Sequence, residues 1–134
     1  MGVVIAGIWW KLPASSTAAA LARRYARQQL GEWGLDGKAD DVLLVVSELV
    51  ANAARASTAD LSDPAHLALR LSRQATRITI EVWDGSPGRP LVTHARNDAE
   101  NGRGLHIVDV LSLTWGTRWP AEGGKIVWSE VRLD

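Results

Sequence analysis

Glu48 and Asn52 stand four residues apart in the stretch SELVANAAR. On a helix that spacing sets them one above the other on a single face. An Asn side-chain carbonyl is a hard oxygen donor suited to magnesium, which keeps several waters and takes its remaining ligands mostly from phosphates. A Glu one turn away can polarise a water or a hydroxyl beside such a metal. Asp41 and Arg55 each lie seven residues from Glu48 and extend the same stripe. A solvated face with an internal ion pair has the same spacing, because four-residue matches are common. Both readings of the stripe stand at this point.

Asp84 closes RITIEVWD, in which Ile78, Ile80 and Val82 point to one face and the aspartate shares their parity. A carboxylate on a buried face needs partners. A bound ligand that donates N–H groups, such as a purine with an exocyclic amine, supplies them; a carboxylate that caps the following turn is the alternative. Gly85, Pro87, Gly88 and Pro90 then turn the chain away abruptly. Further on, Gly102 and Gly104 in ENGRGLHIVDVL open a helix whose first amides can meet an anion. The P-loop pattern is absent, and GxGxxG lacks its last glycine because Ile107 stands there. The loop over residues 85–102 has the length of a functional loop and is placed to close over phosphates. His66, His94 and His106 have no carboxylate at ligand spacing, so no zinc site is expected. Ser15, Ser47 and Ser86 have no nucleophile-elbow context, so no hydrolytic triad is expected either.

The elements that must position these groups follow from periodicity. Pro13, Ser15 and Ser16 predict a helix start, with an apolar stripe through Ala18, Leu21 and Tyr25 and an end at Gly31 and Gly34. Asp40 and Asp41 open a second helix that runs to about Ser57 and buries Val42, Val46, Leu49 and Ala53. HLALRLS and RITIEVWD alternate as half-buried strands joined by a hairpin. A short helix over Leu105 to Leu111 and strands near Leu113–Thr117 and Lys125–Val131 complete the order, after a first strand within Gly2–Trp10. The expected fold is α+β: a two-layer α/β sandwich with a mixed, mostly antiparallel sheet covered by helices on one face. One domain is expected over residues 1–134.

Fifteen basic and fifteen acidic residues leave no net charge, which argues against direct nucleic-acid binding through phosphate neutralisation. There is no cysteine, which excludes disulfides and thiolate metal sites and suits a reducing compartment. The longest apolar run, Gly2–Trp10, falls short of the ~20 residues of a membrane span and has no basic flank of a secretory signal. A cytoplasmic protein is expected. The seven Trp, with no Phe, read as core filling with no stacking stripe among them.

Taken together, ELVANAAR resembles the N box, VWDGSPG the first glycine box and GRGLHIV the second glycine box of the GHKL ATPases, the group that includes gyrases and histidine kinases. The chain is most similar to the small bacterial anti-sigma-factor serine kinases, with LPASSTAAALARRYARQQLGEWGL, DDVLLVVSELV and GGKIVWSEV also in order. That resemblance implies a Bergerat-type fold that binds ATP and magnesium. It implies that Asn52 helps hold the metal and Asp84 recognises the adenine. Gly88 would shape the loop beside the base, and Arg55 would belong to the nucleotide site. Gly102, Arg103, Gly104 and Leu105 would form its phosphate side, and Glu48 would be the general base for a protein serine. It further implies a sigma factor and a STAS-type anti-sigma-factor antagonist as partners, and a homodimer. Three positions depart from the pattern: Ser86 replaces a glycine, Ala56 a histidine, and Ile126 a threonine that backs the adenine aspartate. The last change predicts a lost hydrogen bond and up to roughly tenfold weaker nucleotide binding. A partner-binding module with weak or no nucleotide binding is the competing expectation. The catalytic half of a histidine kinase is disfavoured, since no dimerisation helix with a phosphoacceptor histidine is read in the chain.

Overall fold

The computed structural model describes residues 4–38, 40–57, 66–85 and 101–133. Six strands, β1 (Ile5–Ala6), β2 (Trp10–Pro13), β3 (His66–Arg73), β4 (Arg77–Asp84), β5 (Thr114–Arg118) and β6 (Lys125–Arg132), form one sheet. Its order is β1–β3–β4–β6–β5, with β2 on the same edge of β3 as β1, and each of these pairings is antiparallel. Helices α1 (Ala18–Glu32), α2 (Asp40–Ser57) and α3 (Asn101–Leu111) complete the α+β sandwich. Among the described residues, no helix is long and apolar enough to cross a membrane.

The alternation in β3 and β4 places Leu67, Leu69, Leu71, Ile78, Ile80 and Val82 on the helix-facing side, each at most 1% exposed. From α2, Val42, Val45, Val46, Leu49 and Val50 close the core over them. This helix is the centre of the layer: it packs on α1, on α3 and on β3, β4 and β6. Its bounds are those expected from the two aspartates and the apolar spacing.

Helix α1 departs from expectation. It begins at Ala18, and its N-cap Thr17 makes no side-chain capping bond. Its buried face is Ala18, Ala22, Ala26 and Leu30, all 0% exposed. Leu21 and Tyr25 are only half-buried, with Tyr25 stacked on Trp10 at 5.4 Å between ring centroids. Where two close-packed layers meet, the volume available selects the side chain, and alanine fits where leucine does not. The helix also runs through Gly31. Its end is set by Gly34, whose φ of 72° lets Leu35 N–H reach back to Leu30 O at 2.8 Å.

The β1–β2 edge carries a bulge: four steps from Ala6 to Trp10 match three from Ser72 to Leu69. Gly7 N–H donates to Leu71 O there at 2.8 Å, and a Cβ at Gly7 would sit 2.3 Å from that oxygen.

Trp10, Trp33 and Trp115 pack against the core as expected, whereas Trp9, Trp83 and Trp128 lie on the face without helices. Trp83 lies 5.1 Å from the His66 ring, and the Arg70 guanidinium sits 4.6 Å over Trp9. Trp128 shares this face, opposite Glu81. Glu81 itself is 5% exposed, bonded to Arg70 Nε at 2.8 Å and to Arg118. Burial pushes its carboxyl up, but the hydrogen bonds and charges of Arg70 and Arg118 outweigh burial and hold it below the ordinary glutamate range.

Candidate functional site

Helix α2 presents Glu48 and Asn52 one turn apart, both half-buried. They face the first turn of α3. A Cβ built on Gly104 would lie 2.9 Å from Glu48 Oε2 and 3.9 Å from Asn52 Nδ2. Glycine at 104 therefore lets α3 begin against the carboxylate and the amide without pushing either away. The helix starts at Asn101, four residues earlier than the expected Leu105, so Gly102, Arg103, Gly104 and Leu105 all lie inside its first turns. The first four backbone N–H groups of a helix have no partner within it. At this N-terminus they make a positive end suited to phosphate.

Arg55 lies one turn beyond Asn52 and donates from Nη2 to Asn52 Oδ1. It also borders a cavity of about 370 Å³ lined by Ser15, Ser16, Ala19, Ala51 and Ala54. Asp41 is exposed at the far end of the stripe.

Asp84 is 0% exposed on the helix-facing side of β4, as its parity with Ile78, Ile80 and Val82 requires. Its Oδ2 accepts no hydrogen bond among the described residues, and Lys125 Nζ lies 3.9 Å from that oxygen. Behind it the chain is tight: Gly124 has φ 77°, and a Cβ there would sit 2.4 Å from Asp84 O and 2.6 Å from Trp83 Nε1. The Trp83 ring points to the opposite face and donates to Gly123 O at 3.0 Å.

The ladder overturns the role expected of position 126. Asp84 pairs with Lys125, and Ile126 pairs with Trp83 on the outer face, in a cleft of about 330 Å³ with Trp9, His66 and Pro120. Ile126 is one residue out of phase with the aspartate, so it cannot deprive Asp84 of a hydrogen bond. The weakened nucleotide affinity expected from it has no geometric basis. Lys125 and Gly124 are the site residues that sequence reasoning missed; GGK directly before a strand was their only signal. Gly88 and Ser86 lie outside the described residues, as does the Arg103 side chain.

The donor set fits a magnesium nucleotide. Asn52 offers one amide oxygen, Glu48 a carboxylate beside it, α3 its N-terminal amides, and Asp84 a buried acceptor. No cluster of three or more His, Cys, Asp or Glu that could hold a metal occurs among the described residues. A metal here would draw most of its ligands from phosphates and water, with Arg55 moving off Asn52 Oδ1. A family model described as "Histidine kinase-like ATPase domain" matches residues 12–128. The search of curated proteins finds no match.

Proposed function

This chain belongs to the histidine kinase-like ATPase domain family, and from that premise we propose that it binds ATP with magnesium and phosphorylates a regulatory protein on serine or threonine. The acceptor we propose is a STAS-type anti-sigma-factor antagonist, with a sigma factor as the second partner and a homodimer as the working state. The observation that carries the reading is Glu48 held beside Asn52 against the start of α3. Bound ATP–magnesium supplies an activated γ-phosphoryl group whose charge the metal neutralises. Asn52 contributes its amide oxygen to that metal, and the α3 amides hold phosphate oxygens. Glu48 takes the proton of the incoming hydroxyl as its oxygen bonds to the γ-phosphorus. The bond to the β-phosphate oxygen breaks, and ADP leaves. Asp84 holds the base through its exocyclic amine.

The test is Glu48→Ala with a cognate antagonist. Phosphotransfer falls by at least 100-fold, the scale of a lost general base, while ATP and partner binding persist. Transfer at an undiminished rate removes Glu48 from this role.

A second reading, a partner-binding module without phosphotransfer, draws on the Arg55 bond to Asn52 Oδ1, which sets a cation on the oxygen a metal needs. Partner binding with no phosphotransfer, in both the parent and Arg55→Ala, favours it.

A further inference from the structure

Lys125 opens β6 directly across from Asp84, and cross-strand partners share a face. The Lys125 side chain is therefore turned to the helix-facing side; it is 21% exposed against 1% for the Asp84 side chain. At 3.9 Å its ammonium is near enough to neutralise the carboxylate and too far to donate a hydrogen bond to Oδ2. An acceptor and a donor thus stand side by side at the position assigned above to the base.

A carboxylate aimed at the C6 substituent discriminates between purines. It accepts from the amine at C6 of adenine and repels the lone pairs of O6 in guanine or hypoxanthine. With an ammonium beside it, the pair complements both edges. Adenine offers its C6 amine to Asp84 and its N1 lone pair to Lys125. A 6-oxopurine offers N1–H to Asp84 and O6 to Lys125. We propose that Lys125 is a base-specificity residue that opens this site to guanine and hypoxanthine nucleotides as well as adenine ones. The proposal rests on the nucleotide-binding reading above and goes beyond it.

The experiment titrates the intact protein with ATP, GTP and ITP in the presence of magnesium, by calorimetry. The three dissociation constants are expected within about tenfold of one another. Lys125→Met keeps the side-chain length and removes the donor; it is expected to weaken GTP and ITP at least tenfold more than ATP, because the carbonyl O6 then loses its donor and is left unpaired beside the Asp84 carboxylate. ATP binding without detectable GTP or ITP binding overturns the proposal and leaves the nucleotide site standing, with Lys125 merely neutralising Asp84. An ATP-to-GTP ratio unchanged in Lys125→Met overturns the role of Lys125. Binding of none of the three overturns both readings. The comparison in the parent protein needs no variant, so a misfolded Lys125→Met does not rescue the proposal.

Discussion

The contact between Gly104 and Glu48 makes one site of two motifs that lie far apart in the chain. A methyl group at 104 would meet the end of a flexible carboxylate and no backbone, so the collision is cheap to relieve by moving Glu48. Gly104→Ala should therefore fold, with a melting temperature within a few degrees of the parent. Under the proposed activity its phosphotransfer rate should fall at least tenfold, because small misplacements of a catalytic group are costly. Thermal melts beside single-turnover kinetics check this, and a large loss of stability with normal turnover would refute it. At this scale the sequence was informative about identity and poor about neighbours. The spacing of Glu48 and Asn52 and the parity of Asp84 are local properties, and both hold. The partner of Asp84 depends on how β4 and β6 align, and a shift of one residue exchanges the two faces of a strand. That is why position 126 was misread and Lys125 overlooked.

Elements were legible where one face alone is buried. The alternation of β3 and β4 and the span of α2 reproduce closely because each has a single apolar side and marked ends. Helix α1 was misread because its buried side is alanine, chosen by closeness of packing. The ion cluster of Glu81 was invisible, since it ties residues from β3, β4 and β5 across the intervening β6. Its acid response has a definite sign. Because the folded carboxyl lies below its ordinary value of 4.5, its stabilisation is complete above that pH and is lost as pH falls through the folded value. Glu81→Gln should destabilise the protein at neutral pH by about 1–3 kcal/mol, the partly exposed arginines tempering the cost of a broken buried pair. It should also flatten the decline in melting temperature below about pH 4.5. An acid limb unchanged in the variant would exclude Glu81 as its source.

Across the whole molecule, one sheet face is roofed by helices and the other carries Trp9, Trp83 and Trp128 beside the Arg70–Glu81–Arg118 cluster. No local pattern announces that shared face, because the three indoles come from different parts of the chain and reach one side of the sheet only once the strands are in register. The site belongs to the roofed side, and α2, its chief carrier, touches both other helices and three strands. That centrality has a consequence in time. The amides around Glu48 and Asn52 should be among the last to trade hydrogen for deuterium, exchanging only when the whole molecule opens, whereas those of the bulged β1–β2 edge should exchange through local fraying. Mass spectrometry of deuterium uptake would show it, and early labelling of residues 45–53 would refute it. Glu48 and Asn52, in the roles proposed for them, would then stand on the stillest part of the protein, and whatever motion accompanies turnover must come to them.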